Sequence, residues 1–165
     1  MAKIHVLPIV LAMVALAPAA TARAQAPESP EAMLSAMIGT WYFEERALSP
    51  DLSYVSAGTR TFTRTSANVL QWVDELQTGR TNRGALRYEA DRSIFQYVFE
   101  RGSGEPCMVE GAMVGDGRIH FTRTGTCPGL VLESDLVVVS DRLHTYSRSD
   151  GAFVAFYTRQ DLTGE

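Results

Sequence analysis

Few residues of this chain have side chains suited to chemistry, and the histidines are the first to consider. His5 lies in the apolar leading segment, which leaves His120 and His144. His144 and Tyr146 are two residues apart, so on a strand they share one face. Pointing into a cavity, His144 could act as a general base or an axial ligand, with Tyr146 beside it. The alternative for each histidine is a surface or hydrogen-bonded residue.

Other catalytic arrangements have little support in the sequence. There is no Gly-x-Ser-x-Gly motif for a serine nucleophile and no glycine-rich phosphate loop. Asp74 and Glu75 are neighbours and would point to opposite faces of a strand, so we interpret them as a strand end. Two histidines are too few for a histidine-rich zinc site, and no metal site is predicted. Catalytic residues therefore stay unknown, with His144 and Tyr146 the only candidates.

The two cysteines, Cys107 and Cys127, flank a predicted hairpin whose turn is Gly115-Asp116-Gly117. Their midpoint is the turn itself, so they fall almost opposite each other or just beyond the hairpin ends. In an oxidising compartment such a pair forms a disulfide, which here would close a loop of about 20 residues. Free buried thiols or a redox pair are the alternatives.

Aromatic side chains favour binding over catalysis. Facing inward, they would line an apolar cavity with a few polar tips, which is the usual composition of a small-molecule pocket. The alternative is that they only fill the core. The predicted ligand-binding residues are Trp41, Trp72, Phe95, Tyr97, Phe99, His144 and Tyr146.

Arginines recur at spacings of four on two predicted strands, so each pair shares a face. They are Arg60 with Arg64 and Arg83 with Arg87. We interpret them as a solvated outer face with acidic partners. An arginine that points inward instead could hold a carboxylate ligand.

The elements that must position these residues are short strands. Turn residues recur at even spacing with no helical pattern between them, which predicts an all-β, ten-stranded antiparallel up-and-down barrel, with a two-sheet sandwich as the alternative. One short helix precedes the strands, with Ser29 as its N-cap, Pro30 in its first turn and Gly39 at its end. The predicted strands are Thr40–Leu48, Tyr54–Thr65, Val69–Leu76, Asn82–Tyr88, Ser93–Glu100, Cys107–Val114, Arg118–Thr124, Leu130–Val139, Arg142–Arg148 and Ala152–Gln160.

The first 24 residues have the pattern of a cleaved signal peptide. Lys3 precedes the apolar run Ile4–Ala17, and Ala22-Arg23-Ala24 is a small-x-small cleavage site. The apolar run is shorter than the ~20 residues of a spanning helix. We therefore expect residues 25–165 to form a single exported domain, periplasmic or secreted, with no membrane span.

Composition limits the partners of that domain. It would carry thirteen arginines, no lysine and nineteen acidic residues, a net charge of −6. Without a dominant basic patch, nucleic-acid binding has no support. The absence of lysine excludes Schiff-base chemistry on a lysine. The sequence does not give an oligomeric state.

Two stretches carry a family resemblance. Gly39-Thr40-Trp41 resembles the Gly-x-Trp signature of lipocalins, in which the tryptophan packs across the barrel floor. Asp141–Ser147 and Phe156–Arg159 resemble the closing strands of a bacterial family of lipocalin-like barrels of unknown function. That resemblance implies a fold. The more distant nitrobindin barrels bind haem through a late histidine, and only His144 could be its counterpart.

Three functions are compatible with these features. The favoured one is an exported protein that binds a small apolar or amphipathic molecule, with no cofactor predicted. The second is a barrel enzyme or haem protein that uses His144. The third is a packed envelope protein that interacts through its rim loops.

Overall fold

The computed structural model describes residues 26–47, 54–100, 106–115, 117–122, 133–140, 143–148 and 153–160. Side chains of Tyr54, Phe153 and most of the ninth strand also fall outside this description, as does the predicted signal peptide. Within the described ranges, one helix, α1 (Pro30–Met37), precedes ten strands. These are β1 (Gly39–Ala47), β2 (Tyr54–Ser66), β3 (Val69–Leu76), β4 (Thr81–Glu89), β5 (Ile94–Glu100), β6 (Pro106–Met113), β7 (Arg118–Thr122), β8 (Ser134–Val138), β9 (Leu143–Arg148) and β10 (Phe153–Arg159).

The strands close into one antiparallel barrel. Each strand pairs with its neighbours in sequence, and β1 pairs with both β2 and β10. Trp41 is opposite Arg159 on β10 and Arg60 on β2 at the seam. Closure satisfies both edges of every strand, which a sandwich would not do. The predicted all-β barrel with a short N-terminal helix is confirmed, and the sandwich is wrong.

Helix α1 forms for local reasons and is held by tertiary contacts. The Ser29 side chain accepts a hydrogen bond from the Ala32 N–H at 3.2 Å, and Pro30 takes the first helical position. Its buried residues are Met33, Leu34 and Met37. Burying an apolar side chain of this size stabilises a fold by about 2 kcal/mol, far more than eight residues of helix propensity.

The two ends of the barrel differ. At the α1 end, the strands are joined by short connections: residues 67–68, 90–93, 114–117 and 139–142. We call this the closed end. The opposite end, which we call the mouth, includes the connections 48–53, 101–105, 123–133 and 149–152, mostly outside the described residues. Alternate residues of each strand face the interior between these ends.

Candidate functional site

The floor of the interior is built on Trp41. Its indole Nε1 donates a hydrogen bond to the Met37 carbonyl at 2.8 Å, which joins the first strand to the helix. Arg159, on the last strand, places its guanidinium 5.4 Å from the Trp41 ring centroid and donates to the Ile38 carbonyl at 2.8 Å. The floor is therefore an assembled structural unit, and Trp41 belongs to it.

A buried ion pair lies above the floor, near the middle of the barrel. Arg60 Nε donates to Asp74 Oδ1 at 2.5 Å and Arg60 Nη2 donates to Asp74 Oδ2 at 2.7 Å. Arg60 is 8% exposed and Asp74 is 3% exposed. A bidentate guanidinium–carboxylate pair fixes both side chains, and the two opposite charges cancel locally.

Aromatic rings surround this pair. The Arg60 guanidinium lies 4.2 Å from the Trp72 ring centroid and 5.1 Å from that of Tyr157. Its third nitrogen, Nη1, donates to the Tyr97 hydroxyl oxygen at 3.0 Å. Trp72 and Tyr97 stack with centroids 5.7 Å apart and planes 11° from parallel. We call Arg60, Asp74, Trp72, Tyr97 and Tyr157 the central cluster.

Burial and charge set the protonation states of the cluster. Burial lowers the pKa of the Arg60 guanidinium, but electrostatic interactions with Tyr157, Tyr97 and Asp74, together with the hydrogen bonds to Asp74, raise that pKa well above its ordinary value overall. Burial raises the pKa of Tyr157 well above its ordinary value, and nearby Arg60 offsets this only in part. Arg60 is thus a permanent cation and Tyr157 a neutral phenol.

Three buried side-chain polar atoms have no hydrogen-bond partner in the described part of the chain. One is Arg64 Nε at the closed end, where the other two guanidinium nitrogens donate to the Ala67 carbonyl and Ser35 Oγ. The other two are the Trp72 indole nitrogen and the Ser134 hydroxyl oxygen, which lie on the barrel wall. Trp72 is 3% exposed and Ser134 is 1% exposed. Their strands, β3 and β8, are five positions apart in a ring of ten and so face each other across the barrel. Unpaired buried donors are rare in native proteins, which makes these two positions candidates for ligand contacts.

On β1, β3 and β5, the exposure of the interior residues rises toward the mouth, whereas Cys107 and Ser134 at this end stay buried. Trp41 and Phe43 are fully buried, whereas Glu45, the next inward residue on β1, is half-buried. Glu45 Oε2 accepts a hydrogen bond from Ser56 Oγ at 2.5 Å. Leu76 and Phe99 are also half-buried at this level. The mouth is thus the end from which a ligand would reach the central cluster.

The structure separates the residues that the sequence grouped as ligand-binding. Trp72 and Tyr97 belong to the central cluster, and Phe99 packs on Tyr97 from the mouth side with centroids 5.7 Å apart. Phe95 is fully buried nearer the closed end, 5.0 Å from the Tyr88 ring. Trp41 is in the floor. The Phe121 ring also lies beside Tyr97, with the two ring centroids 6.0 Å apart.

For His144 and Tyr146 the structure describes the backbone but not the side chains. Register pairs His144 with Tyr157 and Val138, and Tyr146 with Ala155 and Leu136. All four of these neighbours are buried. The side chains of His144 and Tyr146 lie outside the described residues, so their roles stay predictions.

The interpretation of Arg60 as part of a solvated outer face was wrong. Asp74 and Glu75 do lie near the end of β3 and point to opposite faces, but the Asp74 side chain is buried inside the barrel. Cross-strand pairing instead puts Arg60 opposite Trp41 and Asp74, in the inward row of three strands. The signal was present in β2, where Arg60 alternates with threonines and shares a face with Phe62.

The outer face carries its own ion pairs. Arg118 donates to both carboxylate oxygens of Asp135, at 2.8 and 3.0 Å, and His120 Nδ1 lies 3.0 Å from Asp135 Oδ1. Arg92 and Gln96 hydrogen bond to Glu110. His120 therefore lies outside the barrel, as the alternation of Ile119 and Phe121 predicts.

Cys107 is buried at 2% exposure on β6, opposite Phe99. Its predicted partner, Cys127, is outside the described residues, so the pairing stays a prediction. Within the described ranges, no group of three or more histidine, cysteine, aspartate or glutamate side chains is arranged to hold a metal ion. No helix among these residues has the length and apolar character needed to cross a membrane.

No protein-family model matches the chain, and comparison with curated proteins gives no match. Solved structures do match. A redesigned β-barrel aligns over 78% of this chain and 95% of its own at 17% identity, with a TM-score of 0.45. A de novo designed fluorescence-activating β-barrel aligns over 77% and 96% at 16% identity, with a TM-score of 0.43. A variant of the fluorescent protein UnaG aligns over 77% and 98% at 11% identity, with a TM-score of 0.37. Similarity at this level concerns the fold alone.

Proposed function

We propose that this protein is an exported binding protein that holds a small amphipathic molecule inside its barrel. The observation that carries the proposal is the central cluster, a polar group at mid-depth in an interior lined mostly by aromatic and aliphatic side chains. An apolar lining with a few fixed polar groups is what small-molecule sites require. The unpartnered Trp72 and Ser134 atoms and the rising exposure toward the mouth support the same proposal.

The first experiment asks whether the barrel carries a molecule. The protein is purified from its own host, and its absorption spectrum and native and denaturing masses are recorded. A reproducible small mass released on denaturation is the expected result. A Soret band that disappears in His144→Ala would replace the proposal with a haem protein. A protein with no bound mass that also fails the dye titration below would overturn it in favour of a packed interaction protein.

A blocked-barrel variant tests where the molecule is held. Ser56→Trp adds a large ring to a half-buried inward position near the mouth, whereas Thr61→Trp adds the same ring to an exposed position on the outer face of β2. Fluorescence enhancement of N-phenyl-1-naphthylamine, a neutral apolar dye, reports occupancy. We expect Ser56→Trp to reduce dye affinity at least tenfold and Thr61→Trp to leave it unchanged. Equal loss in both variants would place the site outside the barrel.

Export and the disulfide are tested on the same material. Cleavage after Ala24 gives a mature chain that begins at Gln25, and a Cys107–Cys127 bridge lowers its mass by two hydrogens. N-terminal sequencing of the periplasmic or secreted fraction and an intact mass before and after reduction measure both. An uncleaved chain in the cytoplasmic fraction would contradict export.

A further inference from the structure

We propose that the ligand is uncharged where it meets the Arg60–Asp74 pair and presents a hydrogen-bond acceptor, such as a ketone, ester or amide carbonyl, to the indole N–H of Trp72. This inference rests on the proposed function and names the chemical class of its ligand. It departs from the sequence-based expectation that an inward arginine would hold a carboxylate.

The charge balance of the interior argues against an anionic ligand. Both oxygens of Asp74 are already bonded to Arg60, and the remaining guanidinium nitrogen, Nη1, donates to Tyr97. These contacts use three of the five guanidinium N–H groups, and Asp74 already balances the positive charge, so Arg60 offers a ligand carboxylate no net positive charge. Glu45 adds a second inward carboxylate between the cluster and the mouth. A carboxylate ligand would be buried as an uncompensated negative charge, which is strongly unfavourable.

The Trp72 N–H specifies the complementary group. An indole nitrogen can only donate, so the missing partner must be an acceptor. The ring cannot turn to find one elsewhere, because the Arg60 guanidinium and the Tyr97 ring lie against it. Its edge also rests on Gly84 of the adjacent strand, at a position where even one methyl group would collide with the ring. A donor fixed and buried in this way selects ligands that carry an acceptor and rejects those that lack one.

The binding test uses Prodan, a neutral naphthalene dye whose ketone reports hydrogen bonding through its emission wavelength. It is titrated into wild type, Trp72→Phe and Tyr42→Phe. The last variant removes a hydroxyl from the half-buried outer side of β1 and is the control. Loss of one hydrogen bond predicts about fivefold weaker binding and a blue-shifted bound emission for Trp72→Phe only. Equal affinity and equal emission in all three proteins would overturn the inference and leave small-molecule binding intact.

The charge test uses competition with a matched pair, dodecanoate and its methyl ester. The ester should displace Prodan at least tenfold better from wild type. In Asp74→Asn the Arg60 charge is no longer balanced, so the preference should fall or reverse. Stronger displacement by dodecanoate in wild type would overturn the inference. Failure of Prodan, N-phenyl-1-naphthylamine and both competitors to bind would instead reject the proposed function itself.

A variant that does not fold would also fail to bind the dye. Far-UV circular dichroism is therefore recorded with each titration to show that the variant is folded. If Trp72→Phe is not folded, Asp74→Asn with the matched competitors decides the charge argument. The emission of Prodan bound to wild type decides the hydrogen-bond argument, because Prodan whose ketone has no hydrogen-bond donor emits as it does in an aprotic solvent. That aprotic emission would contradict the inference.

Discussion

Arg60 carries a full positive charge in the barrel interior, and Asp74 is the residue that compensates for it. Removing the carboxylate leaves a buried cation without a partner. We expect Asp74→Ala to lower the free energy of unfolding by about 3–5 kcal/mol. Replacing both partners, as in Arg60→Met with Asp74→Leu, should be near neutral or stabilising, because it also removes the desolvation cost of two charges.

Urea unfolding of the single and double variants at pH 7 measures this difference. A double variant that is as unstable as Asp74→Ala would show that the pair contributes to the fold itself. A double variant at least as stable as wild type would show that the pair is not kept for stability.

Asp135, on the outer face, makes stability depend on pH. Burial raises the pKa of this carboxyl, but hydrogen bonds from Arg118 and His120 lower the pKa below its ordinary value of 3.8 overall. A carboxyl with a depressed folded-state pKa contributes stability above its unfolded pKa and loses it as pH falls through the folded value. We therefore expect Asp135→Asn to reduce unfolding free energy at pH 7 and to have little effect near pH 2.

Urea unfolding of wild type and Asp135→Asn between pH 7 and pH 2 checks this dependence. Asp91→Asn, at an exposed turn between β4 and β5, is the matched control and should parallel wild type throughout. A constant difference between Asp135→Asn and wild type at every pH would contradict the ionic explanation.

The individual residues of the site were the features that the sequence predicted least well. Trp72 and Tyr97 were predicted as ligand-binding residues because aromatic side chains favour barrel interiors. Arg60 and Asp74 were missed because each is polar, and a charge is normally assigned to solvent. Only the β2–β3 register brings the two together, and that register depends on the turn near residues 67–68 and on the local irregularity between Arg64 and Ser66. Neither is visible in the sequence pattern alone.

At the scale of the elements, the groups that pack against β4 require a glycine at position 84. A Cβ added at Gly84 would collide with the Val98 carbonyl oxygen and with the Trp72 ring. We expect Gly84→Ala to lower the free energy of unfolding by about 1–3 kcal/mol, the usual cost of overpacking. Ala85→Ser changes the next residue, on the outer face, and should stay within about 0.5 kcal/mol of wild type.

Thermal unfolding followed by circular dichroism compares the two variants. Because the Trp72 ring is one of the two obstructing groups, Gly84→Ala should also change tryptophan fluorescence in the folded protein. An unchanged spectrum together with unchanged stability would mean that β4 can shift to accept the methyl group.

The number and order of the strands could be predicted from the sequence, whereas the residues at which they begin and end were predicted less accurately. Turn residues and hydrophobic alternation recur often enough to reveal ten strands. The fourth strand was predicted as Asn82–Tyr88 and spans Thr81–Glu89, because pairing with β3 and β5 continues one residue beyond each predicted end. The predicted start of the eighth strand, residues 130–132, lies outside the described residues. Gly84 was predicted only as part of a strand, because its role depends on the Trp72 ring, which is 12 residues earlier in sequence and on the adjacent strand.

At the scale of the whole molecule, the barrel is closed by the first and last strands, and the floor joins them to the helix. Arg159 is the residue that links all three. It lies on β10, donates to the Ile38 carbonyl at the helix end, and packs its guanidinium over the Trp41 ring on β1. Contacts between residues 121 positions apart in sequence form only when the chain is complete, so they contribute to closure and not to any local element.

We therefore expect Arg159→Ala to lower the free energy of unfolding by about 1–3 kcal/mol through loss of a charge-assisted hydrogen bond and the cation–π contact. Arg87→Ala removes an exposed arginine from the outer face of β4 and is the control, with a change within about 0.5 kcal/mol. Amide hydrogen exchange at β1 and β10 should accelerate in Arg159→Ala more than exchange at β5 and β6, because the seam opens before the opposite wall. Uniform acceleration would show that the barrel opens as one unit, and that the floor stabilises every strand equally.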